Sequence, residues 1–117
     1  MEKDEIQISA KVLKLTPKYK KIRKTLIAQL KNKNADIPTF TDLIDDYMTL
    51  WITKELLKAD IEETGVKLAY NNGGGQSGYK ENPSIEKFYK VNSQMLKILS
   101  ELKIKTDSIG IEVEDEL

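Results

Sequence analysis

TDLIDDYMTLWITKELLKADIEET, residues 41–64 followed by Gly65, carries the strongest periodicity in this chain of 117 residues. Leu43, Ile44, Tyr47, Met48, Trp51, Ile52, Leu56, Leu57 and Ile61 recur at helical spacing. Over the first half they cover more than half the helix circumference. Thr39 or Thr41 can cap the free N–H groups at the start, and Asp42 suits the positive end of the helix dipole. Gly65 is a natural C-terminal stop. A helix this wide in apolar surface belongs at the centre of a bundle or an oligomer.

Working outward, Thr16-Pro17 starts an earlier helix, with a hydroxyl cap and a proline whose missing donor is not needed in the first turn. Tyr19, Ile22, Leu26, Ile27 and Leu30 form its stripe, and Lys20, Lys21, Lys24 and Lys31 fall opposite. It fades near Asn32-Lys33-Asn34. Residues 1–15 give neither a two-residue nor a 3.6-residue period and read as a flexible or partly helical arm. On the other side, Val66, Leu68 and Tyr70 alternate, which allows a short extended piece or hairpin. Gly73, Gly74, Gly75 and Gly78 then predict a flexible Gly-rich loop. Asn82-Pro83 starts a third helix whose apolar residues are Ile85, Phe88, Tyr89, Val91, Met95, Leu96, Ile98, Leu99 and Leu102, with Asn92 among them, ending near Lys103. The predicted fold is all-α: a basic N-terminal arm and helix over 1–38, a long helical hairpin over 39–105 that oligomerises, and an acidic tail over 106–117.

Composition narrows the chemistry. With no cysteine and no histidine, the chain can form neither a disulfide framework nor a zinc ribbon, and it lacks the commonest general base. No enzyme activity, metal or cofactor is expected. Asp42, Asp45, Asp46, Glu55, Asp60, Glu62 and Glu63 raise the idea of a two-metal nuclease site. They read better as the polar face of one helix. Gly73 to Lys80 lacks the order G-x-x-x-x-G-K-[ST] that a nucleotide-binding loop requires. No apolar run approaches the roughly 20 residues that span a bilayer, and Met1 to Glu5 carries no signal-peptide core, so a cytoplasmic location in the cell is expected and no membrane partner.

The formal net charge of zero is a cancellation of blocks. Residues 1–34 hold ten Lys/Arg against three Asp/Glu, and residues 35–65 hold two against eight. Residues 66–105 hold seven against three, and residues 106–117 hold none against five. Between Lys11 and Lys33 every charged residue is a cation. Such a surface gains affinity for DNA by releasing condensed counterions. Lys14, Lys18, Lys20, Lys21, Arg23, Lys24, Lys31 and Lys33 are the candidate DNA contacts; the alternative is a solvated helix face. With one arginine in the set, the segment is suited to phosphate affinity more than base reading.

The second and third helices and the loop between them resemble the small terminase subunits of tailed phages. The resemblance rests on Asp45-Asp46-Tyr47-Met48, Leu50-Trp51, Gly65-Val66, Tyr70-Asn71-Asn72-Gly73-Gly74-Gly75-Gln76, Gly78-Tyr79-Lys80, Asn82, Ser84, Gln94-Met95-Leu96-Lys97 and Ser100-Glu101-Leu102-Lys103-Ile104 before an acidic end. It covers about residues 40–117, and the Gly-rich loop is its most specific part. One departure is Lys103, where similar sequences often have glycine. The resemblance implies a non-enzymatic homo-oligomer, a ring, that binds double-stranded phage DNA at the packaging start. It also implies a large subunit as partner, carrying the ATPase and nuclease. Tyr47, Trp51, Phe88, Leu96 and Leu99 are candidate oligomer contacts, with a core role as the alternative for Tyr47 and Trp51. Glu112, Glu114, Asp115, Glu116 and Leu117 are candidates for large-subunit docking, against a solubilising tail. Rival readings are a small helix-turn-helix regulator and a structural oligomerisation module with no nucleic-acid role.

Overall fold

The structure is a computed structural model that describes residues 9–104. It is mostly helical, 70% helix, with one small sheet. The order is α1 (Ala10–Lys14), α2 (Pro17–Asn32), α3 (Pro38–Thr64), β1 (Lys67–Asn71), β2 (Ser77–Glu81) and α4 (Pro83–Glu101). α4 returns antiparallel along α3, while α1 and α2 pack on α3 as well. α2 runs antiparallel to the first half of α3, with Tyr19 edge-on to Trp51 at 5.7 Å and Arg23 beside Asp45.

The core is a thin seam among these helices. Leu13, Leu26, Leu30, Ile44, Met48, Trp51, Ile52, Met95, Leu102 and Ile104 are its buried residues. α3 therefore spends its wide apolar surface on two sides within one chain. α2 takes part of the surface that the width of the stripe assigned to neighbouring copies.

Local signals explain most helix ends. Ser9 caps α1, its hydroxyl accepting from the Val12 N–H at 3.2 Å. Thr16 accepts from the Tyr19 N–H at 3.3 Å and donates to the Leu13 carbonyl at 2.8 Å, so one hydroxyl joins α1 to α2. The structure corrects the start of α3. It begins at Pro38, Ile37 holds the cap position without a side-chain bond, and the Thr41 hydroxyl donates back to the Pro38 carbonyl at 3.1 Å. Proline's fixed φ favours the first helical position, so it sets the boundary ahead of either threonine. α2 and α4 end alike. The N–H groups of Asn34 and Ala35 reach the carbonyls of Lys31 and Leu30, and those of Lys103 and Ile104 reach Ser100 and Leu99. This is the Schellman arrangement, and the residues in left-handed conformation are Asn34 (φ 56°) and Lys103 (φ 57°).

The all-α expectation also needs correction, because the glycine-rich connection is a β-hairpin. β1 and β2 pair antiparallel from Lys67 with Glu81 to Asn71 with Ser77. Gly73, Gly74 and Gly75 turn the chain at positive φ, and the Asn71 carboxamide oxygen accepts from the Gly73 N–H at 2.8 Å. The alternation at Val66, Leu68 and Tyr70 signalled an extended piece; the glycines supply the turn between two strands.

Candidate nucleic-acid interface

α2 is divided lengthwise. Leu26, Gln29 and Leu30 face the core. At about 100° per residue, Lys20, Lys24 and Lys31 fall in one narrow sector on the opposite side, with Lys21 beside it. All four are exposed, as are Lys14 and Lys18 toward the start. Lys20 and Lys31 are separated by about 16 Å along the axis at the usual helical rise. Between them lies a shallow groove of about 410 Å³, lined by Tyr19, Lys20, Arg23, Lys24, Ile27 and Lys31 with Ala28. Apolar Tyr19, Ile27 and Ala28 line it together with four cations.

Arg23 and Lys33, both among the sequence-predicted cations, hold bonds within the chain. Arg23 donates from Nε and Nη2 to Oδ1 of Asp45 at 3.2 and 3.1 Å, tying α2 to α3. Both side chains are about half exposed, so the pair is worth little on its own, about 0–1 kcal/mol. Lys33 donates to the carbonyls of Leu102 and Lys103 at 2.7 and 2.9 Å. There it places an ammonium at the negative end of the α4 dipole. Sequence reading missed this role, because the bond joins positions 33 and 102.

The candidate oligomer residues are spread over several environments. Trp51 is 6% exposed and used within the chain, against Tyr19. Tyr47, Phe88 and Leu99 are half-buried, and Leu96 is exposed. Burial pushes the Tyr47 phenol above its ordinary pKa. A second groove, about 370 Å³, lies between the end of α3 and the start of α4, lined by Lys58, Ile61, Glu62, Ile85, Phe88 and Tyr89. Lys54 bridges the same two helices, donating to the Asn92 carboxamide oxygen at 3.0 Å and standing 5.7 Å from the Phe88 ring centre. Asn92 therefore works at the helix–helix seam through a lysine of the same chain. The docking candidates Glu112, Glu114, Asp115, Glu116 and Leu117 lie outside the described residues.

A polar knot that the sequence did not announce closes the base of the hairpin. Asn82, 2% exposed, donates to the Gly65 carbonyl at 2.9 Å and to Asp60 at 3.2 Å. Its oxygen accepts from the Ser84 N–H at 3.0 Å, which caps α4. Asp60 also accepts from the Ser84 hydroxyl at 2.7 Å and from Thr64 at 3.2 Å. Bonds from Ser84 and Asn82, with a lesser one from Thr64, outweigh the opposing effect of burial and hold the Asp60 carboxyl below its ordinary pKa. These contacts account for one acid of the set weighed as a metal site. Among the described residues no group of three Asp or Glu side chains is arranged to hold a metal ion.

Compared with protein-family models, curated proteins and solved structures, this chain matches none of them. The basic face therefore has to be read from its own chemistry. Among the described residues, no helix is long and apolar enough to cross a membrane.

Proposed function

We propose that this chain is a small terminase subunit: a non-enzymatic, oligomeric DNA-recognition protein that binds phage DNA and engages a separate packaging motor. The observation that carries the reading is the outward face of α2. Lys20, Lys21, Lys24 and Lys31 stand exposed on one side of a helix that has no acidic residue, beside exposed Lys14 and Lys18. The motif resemblance over residues 40–117 supplies the biological setting. Its glycine-rich part corresponds here to the turn of the β-hairpin.

The mechanism is positioning. Lysine contacts to phosphate tolerate sequence, so each copy contributes affinity, and several copies in one oligomer, a ring, add their contacts by avidity. The groove between α3 and α4, with Tyr89 66% exposed and Leu96 58% exposed on the same helix, is the surface where copies meet. Residues 112–117 serve the large subunit.

Replacing Lys20, Lys21 and Lys24 with Glu tests the DNA face. Duplex binding in a shift assay is expected to disappear while the far-ultraviolet circular dichroism stays helical. Undiminished binding would move the DNA site elsewhere. Intact oligomers that ignore duplexes even at low salt would favour the structural-module reading.

A further inference from the structure

The groove on α2 combines two properties that a bare phosphate-binding face does not need. Its lining joins cations, at Lys20, Arg23, Lys24 and Lys31, to apolar side chains, at Tyr19 and Ile27. A ligand that fills both carries acids interspersed with apolar side chains. This chain contains such a sequence in Ile109-Gly110-Ile111-Glu112-Val113-Glu114-Asp115-Glu116-Leu117. Apolar residues at 109, 111, 113 and 117 are interleaved with acids at 112, 114, 115 and 116, and residues 106–117 contain no cation.

The fold brings Ile104, the last described residue, to the end of α2 that borders the groove. Leu102 and Ile104 are buried in the core, and Lys33 holds the carbonyls of Leu102 and Lys103. Lys33 directly follows α2, two residues beyond Lys31 at the end of the groove. The chain therefore leaves Ile104 beside the C-terminal end of α2. Residues 105–117 can span about 40 Å when extended, well over the roughly 16 Å from Lys31 to Lys20. A tether of that length keeps the acids at millimolar effective concentration, so weak contacts suffice.

We infer that residues 109–117 dock in cis into the α2 groove, where their carboxylates occupy the lysines and compete with an external polyanion. The segment is an intramolecular brake on the basic face. A partner that captures the segment frees the face, which couples recruitment of that partner to DNA binding. The competition part rests on the proposed DNA role of α2; the docking itself does not.

Two measurements on the full chain separate these parts. The protein has no cysteine, so Ser108→Cys accepts a single nitroxide label. At low salt the label is expected to broaden amide NMR signals along the exposed side of α2, from Lys20 to Lys31. The broadening should vanish in high salt and in a variant combining Glu112→Gln, Glu114→Gln, Asp115→Asn and Glu116→Gln. No broadening on α2, or broadening that arises only between labelled and unlabelled copies, overturns cis docking. The second measurement is duplex affinity at low salt, which the four substitutions are expected to tighten roughly tenfold. Broadening without any duplex binding by either protein would sink the DNA reading and leave the docking standing. Duplex binding that the four substitutions leave unchanged would overturn the brake.

Discussion

Lys103 sits in left-handed conformation where the chain turns out of α4. A side chain there costs about 1–2 kcal/mol against a right-handed conformation, and glycine avoids that cost. The departure from glycine noted in the sequence is thus a strained residue at a helix end of ordinary geometry. Lys103→Gly is expected to stabilise the fold by about 0.5–1 kcal/mol, after allowing for the extra freedom of glycine in the unfolded chain. Urea denaturation checks it; a loss of stability would mean that the lysine side chain contributes more than its backbone strain costs. At the other end of α4, Asn82 caps the helix and satisfies the Gly65 carbonyl. Asn82→Ala is expected to cost about 1–2 kcal/mol. The neighbouring Asp60 adds a pH dependence. Its carboxyl titrates lower in the folded protein than in the unfolded chain, because Ser84, Asn82 and Thr64 donate to the ionised form. Its contribution is then complete above the ordinary aspartate pKa of about 3.9 and is lost as pH falls through the folded value. The stability difference between the parent and Asp60→Ala should shrink as pH is lowered through that window. A difference that stays constant down to pH 2 (about two units below the ordinary value) would show that the bonds do not favour the charged form.

At the scale of elements, α3 is the part whose surroundings matter most. Its apolar residues extend round both sides, and the structure covers them with α4 on one and α1 and α2 on another. The width of the stripe was readable; which neighbour covers it was not, because any amphipathic helix satisfies the same pattern. Trp51 illustrates the difference. Its position allowed core or interface, and within this chain it is buried in the core against Tyr19. Of the apolar surface that remains exposed, Tyr89 and Leu96 lie on α4, while Val12, Leu15, Val66 and Tyr79 lie elsewhere in the fold. A variant carrying Tyr89→Glu and Leu96→Glu is expected to shift the protein from oligomer to monomer in sedimentation, with helix content retained. Both residues are mostly exposed, so the charges need not enter the core. An unchanged assembly would place copy-to-copy contacts elsewhere.

The described residues form a rod, 63 × 29 × 25 Å, with a radius of gyration of 18.2 Å. A compact domain of about 100 residues has a radius near 13 Å. An elongated shape exposes more surface per residue and leaves a thin core, so each fully buried side chain carries much of the stability. Met48, 1% exposed, is the clearest case. Met48→Ala is expected to cost about 2–5 kcal/mol, a large share of a small domain's stability, measurable as a fall in the urea midpoint. A cost below that range would show that the seam can collapse around the gap. The basic face of α2 and the α3–α4 groove are lined by different residues, so the proposed DNA contact and the proposed self-association need not compete for the same side chains.

The sequence by itself determined the three longer helices and several of their ends. Thr16-Pro17, Asn82-Pro83 and Gly65 act through the backbone within a turn or two, so their effect is local and legible. It also determined the basic face of α2, since charge and helical period together place Lys20, Lys24 and Lys31 opposite Leu26 and Leu30. Tertiary structure decided what depends on residues far apart in the chain. It paired two strands across the glycines and set Lys33 on the end of α4. It joined Asp60 to Ser84 and Asn82, and it turned Trp51 inward. Those contacts come from packing apolar faces against one another, and a periodic pattern states that a face must be buried without stating against what.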